Sequence, residues 1–469
     1  MKEEKVIKSL KITSIAFGLI LGILSIFLVL NESFALFTSS TGKVTYSLKT
    51  YKIPMLTTGE SFQTILRNAG YNAKITEVIF EVNKDLSTID TSIGSFDLSN
   101  KKNGVVMGYI TEDETTQDMY ILHIATDDDI IYANPISLRL FSGNYYGQSR
   151  VFLNLKEIKN MQILDTTNVI NMESMFEGCK KLTSIDLSGF ITDNVTNMKS
   201  MFYLCSGLTS LDVTHFNTSN VTDMMAMFHT CSSLTSIDVT HFDTSKVTRI
   251  SEMFGGCKNL LSIDVSHFDT SEVYAFNGMF RDCLKLTVLD LSNFNTGKAT
   301  EMFNMFLGCS GLTSLDLSNF NTSNVTSMNS MFYGCRGLTS LDLSSFNTSN
   351  AKSMISMFLG CSGLTGLDLS NFNTSNVTDM HDMFSDCSGL TSLDLSSFNT
   401  SKVNDKRNMF SGCSNLTEVR LDNAVLNSRS FSGIFNNVPT TVHIYLKDDQ
   451  TNRDFMSNNF SSYTNITWV

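Results

Sequence analysis

Hydrophobic residues recur with one fixed period over more than half of the chain. Ten Met-Phe pairs follow one another at a spacing of 26 residues, and a weaker Ile-Phe pair follows 25 residues later at Ile434. A period held this strictly predicts a solenoid, in which each coil buries its apolar face against the next coil. The ten pairs begin at Met175, Met201, Met227, Met253, Met279, Met305, Met331, Met357, Met383 and Met409.

Within one repeat, residues 312–337, two hydrophobic patterns follow each other. In LTSLDLSNF, Leu315 and Leu317 alternate with polar residues, which predicts a short strand with one exposed face. After the turn NTSN, the stretch VTSMNSMFYGC starts at Val325 and spaces its Met, Phe and Cys side chains as on one face of a helix. We therefore predict an α/β solenoid with a parallel sheet on one face and short helices on the other. Since helices are wider than strands, the strand face should be concave.

The residues on either side of the repeats do not share their period. Residues 36–150 contain stretches typical of strands (KVTYSL, KITEVIFEV, GVVMGYI and MYILHIATDDDIIYA) and one typical of a helix, ESFQTILRNAG. They predict a small β-rich N-terminal domain. The solenoid then takes residues 151–439. In residues 440–469, TVHIYLKDD and NITWV are expected to close the end of the solenoid as capping strands.

The first 35 residues predict export. Ile12 to Leu30 carries no charge, and a helix of this length spans about 28 Å, close to the thickness of a bilayer core. Lysines precede it, which predicts a cytoplasmic N-terminus with residues 36–469 outside the membrane. Two alternatives stay open: residues 12–30 are a retained membrane anchor, or residues 1–35 are a long signal peptide cleaved near Glu32–Ala35. The four lysines are Lys2, Lys5, Lys8 and Lys11.

Charge and motifs argue against two classes of function. The formal net charge is −12 and the isoelectric point is near 5.1, and a nucleic-acid binder needs clustered Lys and Arg to neutralise phosphates. The chain contains no G-x-S-x-G, no H-E-x-x-H and no P-loop, the motifs of common hydrolases and nucleotide-binding enzymes. We therefore predict a protein that is not an enzyme and does not bind nucleic acid.

The cysteines follow the period of the repeats. In an exported protein they suggest disulfides, but equivalent side chains of stacked coils project in parallel, whereas a disulfide needs two Cβ atoms turned toward each other. No C-x-x-C pair exists that would indicate a metal site. We expect buried free thiols at Cys179, Cys205, Cys231, Cys257, Cys283, Cys309, Cys335, Cys361, Cys387 and Cys413.

One aspartate per repeat occupies the exposed side of the predicted strand. Like charges this close favour either raised pKa values or bound cations such as Ca²⁺, so this row is the candidate ligand-binding surface. The alternative is a solvated row that keeps an exposed sheet soluble. Because every repeat supplies the same carboxylate environment, the row is unsuited to acid–base catalysis, which needs two different pKa values. The residues are Asp186, Asp212, Asp238, Asp264, Asp290, Asp316, Asp342, Asp368 and Asp394.

Three histidines also share one position in successive repeats. His215, His241 and His267 each follow an aspartate of the row by three residues. Stacked imidazoles suggest Zn²⁺ binding or pH sensing. Ligands arranged in a straight row rarely form a tetrahedron, however. We therefore expect surface side chains without a metal.

The repeat resembles known families. L-x-x-L-x-L resembles the strand motif of leucine-rich repeats, and the whole unit LTSLDLSNFNTSNVTxMxxMFxGCSG resembles the BspA-type leucine-rich-repeat surface proteins of bacteria, from Asn168 to Phe435. Ala299 and Ala351 stand where most units have Val, and Arg420 replaces the Asp of earlier units. The resemblance implies a cell-surface or extracellular protein that adheres to host proteins, matrix proteins or other cells, with the strand face as the usual binding surface.

We therefore expect a binding or adhesion module whose partner is an extracellular protein or glycan. Two other functions remain open: a passive spacer of the cell envelope that presents residues 36–150, or a hydrolase with its site in residues 36–150. A binding face should carry exposed aromatic or Arg side chains. The predicted strand face is largely Ser, Asp and Thr, which keeps the spacer alternative open.

Overall fold

The computed structural model describes residues 52–143, 151–424, 426 and 432–469. These residues form mixed sheets with few helices, and most of the chain between the strands is turns and loops. The α-helices are α1 (Gly59–Asn68) and α2 (Gln450–Asn459). The strands are β1 (Ile75–Glu81), β2 (Ser95–Asp97), β3 (Met107–Glu112), β4 (Tyr120–Ala125), β5 (Ile131–Tyr132), β6 (Glu157–Lys159), β7 (Leu164–Asp165), β8 (Ser392–Asp394), β9 (Glu418–Leu421), β10 (His443–Leu446) and β11 (Ile466–Trp468).

The N-terminal sheet has the strand order β2-β3-β4-β1-β6. β1 is parallel to β4 and β6, while β3 is antiparallel to β2 and β4. The helix α1 starts after Thr58, whose hydroxyl accepts the Ser61 N–H and so satisfies one of the free donors of the first turn. It buries Phe62 and Leu66. The strands predicted at KITEVIFEV, GVVMGYI and MYILHIATDDDIIYA and the helix at ESFQTILRNAG are confirmed, whereas KVTYSL lies outside the described residues.

The core of this sheet continues into the first repeat. The rings of Phe62 and Phe152 lie 6.0 Å apart, and Phe141 contacts both Phe152 and Phe176, at 5.7 Å in each case. Phe176 belongs to the first Met-Phe pair. The N-terminal sheet and the repeats therefore share one hydrophobic core rather than meeting across a polar linker.

The short helices predicted in the repeats are wrong. No α-helix occurs between residues 151 and 424 of the described chain. In the repeat that starts at Val325, the Met331 N–H donates to the Met328 carbonyl and closes a tight turn, and Ser330 takes the left-handed φ of 52°. The Phe332 N–H donates to the Met357 carbonyl of the next repeat at 2.9 Å. A segment this short gains little from its own helical bonds, so the partner groups of the neighbouring repeat decide its structure.

Those inter-repeat bonds form a parallel ladder where the helix was expected. In each repeat, the residue four positions before the Met of the Met-Phe pair forms a parallel backbone bridge with its equivalent in the next repeat. The backbone, not the side chains, therefore stacks this segment. The paired residues are Asn171, Asn197, Asp223, Arg249, Ala275, Glu301, Ser327, Ser353, Asp379 and Asp405.

The predicted strand is correct in its side-chain pattern and incomplete in its hydrogen bonds. Leu315 and Leu317 are buried while Asp316 between them is exposed, as the alternation predicts. Among residues 169–424 of the described chain, however, hydrogen-bonded strands of this segment occur only in β8 and β9. These two continue into a four-stranded parallel sheet, β11-β10-β9-β8. Since the repeats lack helices, the expected cause of a concave strand face is also absent.

Two rows of buried side chains reinforce the stack. The Phe rings of successive Met-Phe pairs lie nearly parallel, for example 5.8 Å apart between Phe306 and Phe332. In addition, the hydroxyl of a buried Thr in each repeat forms hydrogen bonds with backbone groups of the next repeat. The hydroxyl of Thr322 donates to the Asn347 carbonyl at 2.9 Å and accepts the Asn347 N–H at 2.9 Å. Each repeat is thus held to the next by both apolar and polar contacts.

At the C-terminal end, β10 and β11 confirm the strands predicted at TVHIYLKDD and NITWV, and the helix α2 between them was not predicted. The Asp449 side chain accepts the Asn452 N–H at the start of α2. The buried Asn452 amide in turn donates to the carbonyls of Ala424 and Lys447, at 3.0 and 2.8 Å. This amide ties α2 to the end of the repeats.

No helix in the described ranges is both long and apolar enough to cross a membrane. The predicted anchor at residues 12–30 lies outside those ranges.

Candidate binding surfaces of the repeats

The nine aspartates form one exposed row along the repeats, as predicted. Each carboxylate accepts the backbone N–H two residues later, at 2.8 to 3.0 Å, for example Ser318 N–H to Asp316 Oδ1. At Asp212, Asp238 and Asp264, the hydroxyl of the Thr or Ser two residues later also donates to the same oxygen. The aspartates therefore cap the turns that end the extended segments.

Of the alternatives considered for this row, the structure contradicts raised pKa values. Hydrogen bonds from the Ser or Thr two residues later lower the pKa of all nine aspartates, because they stabilise the ionised form. Repulsion between neighbouring carboxylates acts in the opposite direction, as Asp316 and Asp368 do on Asp342, but it is a smaller effect in this exposed row.

Metal ligands converge at one place only in the part of the chain that the structure describes. Ligand atoms of Asp379, His381 and Asp405 lie within 4.8 Å of one another. Arg407 already binds Asp405, with Nε 3.0 and 2.9 Å from its two carboxylate oxygens, and His381 Nδ1 lies 2.8 Å from Asp379 Oδ1. These contacts form a closed ion-pair network, so we assign no metal there. No aspartate of the exposed row belongs to this group.

The three equivalent histidines are all exposed, and none of them belongs to that group. His215 Nε2 lies 2.8 Å from the Leu187 carbonyl, and His241 Nδ1 lies 3.2 Å from the Thr240 hydroxyl. The His267 ring packs edge-on against Phe268, with centroids 5.0 Å apart. The structure does not bring the three rings together as metal ligands.

All ten cysteines are buried free thiols, which confirms the prediction. Each Sγ donates to the carbonyl of a Phe in the preceding repeat, as from Cys335 to Phe306 at 3.1 Å, and Cys179, in the first repeat, donates to Phe141 at 3.0 Å. Burial raises the pKa of these thiols, to about 12 for Cys309. A thiol in this environment is protonated and unreactive at neutral pH, so the cysteines serve the core.

A second surface lies over the parallel ladder and was missed from the sequence. Its backbone is the same in every repeat, but its side chains differ from repeat to repeat. We call it the bridge surface and define it by the ten paired residues given above together with the residues two positions later in each repeat. These later residues are Glu173, Lys199, Met225, Ser251, Asn277, Phe303, Asn329, Ile355, His381 and Arg407.

Three successive repeats carry aromatic and charged side chains around a cleft of about 330 Å³ on the bridge surface. Tyr274 and Glu252 line this cleft from positions directly next to those that define the surface. Tyr274 and Phe303 are 39% and 38% exposed. The equivalent positions in the repeat that follows hold Thr326 and Asn329. The residues that line the cleft and carry its chemistry are Met225, Arg249, Tyr274, Asn277, Glu301 and Phe303.

The polar groups of the cleft are only partly paired. Arg249 Nη1 lies 3.1 Å from Asp223 Oδ2, so its charge is neutralised at the rim. The Asn277 Nδ2 group donates to Glu301 Oε2. Asn277 is 8% exposed, and its Oδ1 atom is buried without a hydrogen-bond partner among the described residues. An acceptor left in this state costs free energy that a donor from a ligand recovers.

The sequence does contain a signal for this surface. Most positions of the repeat keep one residue type, whereas the two positions of the bridge surface hold acidic, basic, apolar, aromatic and amide residues in turn. Variation confined to exposed positions of an otherwise constant repeat indicates a surface that is free to take on specific contacts. The aspartate row shows the opposite behaviour, because it repeats one side chain.

Comparisons with known proteins identify the repeats. A family model described as Mycoplasma protein of unknown function, DUF285, matches the chain three times, at residues 147–238, 230–340 and 337–444. These matches cover more than half of the chain and coincide with the stacked repeats. A comparison with curated proteins finds no match.

Proposed function

Since this chain belongs to the DUF285 family, whose function is unknown, we propose a function from the surfaces of its repeats: it is an exported binding or adhesion module. In this proposal the repeats form a leucine-rich-repeat-like solenoid of the BspA type. The protein works at the cell surface or outside the cell, and residues 12–30 hold it in the membrane unless they are cleaved. Its partner is an extracellular protein or glycan.

The observation that carries this proposal is the cleft of the bridge surface. Exposed aromatic side chains beside an Arg are typical of the residues that dominate binding energy at protein interfaces. Tyr274 and Phe303 lie at such a place, on a backbone that the inter-repeat ladder and the buried Phe rows hold in position. A rigid support of this kind lowers the entropic cost of binding.

The alternative is a passive spacer that presents the N-terminal domain. The aspartate row favours it, since nine equivalent, hydrogen-bonded and solvated carboxylates give solubility without a preferred contact point. The two functions assign different roles to the repeats, and substitutions on the two surfaces separate them.

The test is solid-phase binding of the purified full chain to extracellular-matrix proteins and cell-wall glycans. One variant carries Tyr274→Thr with Phe303→Asn, residues that other repeats hold at the same positions, so the fold is retained. A matched variant carries Asp238→Ser with Asp264→Ser on the aspartate row.

Saturable binding that only the first variant loses supports the bridge surface as the binding site. Loss in the second variant alone assigns binding to the aspartate row instead. Binding that neither variant weakens moves the site to the N-terminal domain, and no binding to any panel member favours the spacer.

A further inference from the structure

We propose that the cleft of the bridge surface binds a basic side chain, a lysine or an arginine, of a protein partner. This inference rests on the proposed binding function and adds the chemistry of the ligand. It starts from the one buried polar atom of the cleft that has no partner in the described chain, Asn277 Oδ1. Because an amide oxygen only accepts hydrogen bonds, its partner must be a donor.

The amide group is fixed in the orientation that presents this oxygen. Its Nδ2 group donates to Glu301, and turning the amide over would place its oxygen against the Glu301 carboxylate. Asn277 is buried between the repeats of Arg249 and Glu301, so its side chain has little room to leave the cleft. The cleft therefore contains a preorganised acceptor.

The charges around the cleft favour a cationic donor. Glu252 and Glu301 both line the cleft. Glu252 is partly exposed and Glu301 is exposed. The cation of the cleft, Arg249, is already paired with Asp223. Glu252 Oε2 also lies 3.4 Å from His229 Nδ1, but burial lowers the pKa of His229, so the carboxylates are in excess at neutral pH. The net charge of −12 on the whole chain attracts a basic partner over longer distances.

The aromatic side chains complete a site for a basic residue. Lys and Arg bring several N–H donors on an apolar stem, and both are attracted to aromatic rings. Tyr274, Phe303 and Met225 supply apolar and aromatic lining around the acceptors. About 330 Å³ is at the lower end of ligand sites, which suits one side chain better than an oligosaccharide.

A neutral glycan is the competing ligand, since sugars also stack on aromatic rings. A sugar hydroxyl both donates and accepts hydrogen bonds, and the donors that the cleft offers it are the neutral hydroxyls of Ser251 and Tyr274. The Arg249 guanidinium is bound to Asp223 and the Asn277 amide N–H to Glu301. Lysine and arginine donate only, which matches the acceptor groups of this cleft.

The experiment follows the Met225 methyl group by NMR in the full chain labelled with [¹³C]methyl-methionine. Met225→Leu identifies its signal. The probes are the peptides Gly-Ser-Lys-Ser-Gly and Gly-Ser-Arg-Ser-Gly, and a control peptide with norleucine in the central position, which keeps the carbon chain and removes the ammonium. Chitotriose is the glycan probe. The matched variants are Glu301→Ser, which copies Ser327 of the next repeat, and Asp316→Ser on the aspartate row.

We expect the lysine and arginine peptides to shift the Met225 signal saturably and the norleucine peptide to bind at least about tenfold more weakly. Glu301→Ser should weaken the lysine peptide by about tenfold or more, the effect of losing one hydrogen bond to a charged group. Asp316→Ser should leave the affinity unchanged.

Equal shifts with lysine and norleucine overturn the proposal, as does chitotriose binding without lysine binding, or no shift at millimolar peptide. These results leave the proposed binding function intact if the Tyr274→Thr, Phe303→Asn variant still loses binding to the matrix proteins and glycans of the solid-phase assay. If that variant binds them as the wild type does, the cleft has no binding function. The two levels of the argument therefore fail separately.

Discussion

Lys406 provides the sharpest test of how the repeats bury their side chains. It occupies the position three residues before the Met of the Met-Phe pair, where the other repeats hold Met, Ile or Phe. The side chain is only 2% exposed, and its Nζ donates to the Val403 carbonyl at 2.7 Å. Burial lowers the pKa of the Lys406 ammonium from 10.5 to about 8, because the charged form is poorly solvated there.

The magnitude follows from that pKa difference. One pKa unit corresponds to about 1.36 kcal/mol, so lowering the pKa from 10.5 to about 8 corresponds to a cost of about 3 kcal/mol for burying the charged ammonium. Below pH 8, Lys406 is charged in both the folded and unfolded states, and the full cost of burying the charge is present. Between pH 8 and pH 10.5 the unfolded chain binds more protons than the folded chain, so stability rises with pH and the cost disappears.

Lys406→Met should therefore stabilise the protein at pH 7, and its advantage over the wild type should shrink by about 3 kcal/mol between pH 7 and pH 10.5. Urea unfolding monitored by Trp468 fluorescence measures this difference, since Trp468 is the single Trp and lies in β11 of the sheet that closes the repeats. A repeat array unfolds locally, so a probe at this end is required.

The control is Lys402→Met, in the same repeat but on an exposed side chain. A solvated ammonium has no burial cost to lose, so this variant should show no comparable pH-dependent difference. If the Lys406→Met difference is equal at pH 7 and pH 10.5, or grows with pH, the Lys406 charge is not desolvated and the reasoning is refuted.

Three further predictions test other rows of the stack. Thr322→Val leaves the partly buried N–H and C=O of Asn347 without the Thr hydroxyl and should lower the free energy of unfolding by about 1 kcal/mol. Urea unfolding beside the exposed control Thr313→Val measures this loss. Cys335 and its equivalents should react with a disulfide reagent such as Ellman's only after unfolding, and rapid labelling of the native chain contradicts this. The pKa of Asp316 is lowered in the folded chain, so its contribution to stability is present above pH 3.8 and is lost as pH falls through the folded pKa. The wild type should therefore lose stability relative to Asp316→Asn between pH 6 and pH 3 in the same urea assay. Parallel pH profiles of the two proteins would contradict this.

The pattern of apolar positions in the sequence correctly predicted which side chains are buried. The period of 26 residues, the inward Leu315 and Leu317, and the buried cysteines all follow from the distribution of apolar positions. The secondary structure was harder, because the spacing of Met328, Met331 and Phe332 fits both a helix and a series of turns. The carbonyls of the next repeat decide between them, and those partners are not visible within a single repeat.

For the candidate site, too, the exposure of the side chains was predictable from the sequence, whereas their interactions were not. The exposed position of the aspartate row was predictable, since it alternates with buried leucines. The direction of its pKa shift was not, because the deciding hydrogen bonds come from the backbone two residues later. The cleft around Asn277 depends on side chains from successive repeats, so it becomes visible only when the repeats are compared position by position.

The two surfaces differ for a physical reason. On the bridge surface, the backbone ladder between repeats remains when a side chain changes, and side-chain pairs such as Arg249 with Asp223 add to that ladder. The buried Phe, Cys and Thr rows have no such freedom, because each of their side chains touches the next repeat. Substitutions on the bridge surface are therefore expected to cost little stability. An array built in this way lets exposed side chains differ from repeat to repeat while the buried rows stay constant, as they do around Tyr274 and Phe303, where we propose the binding site.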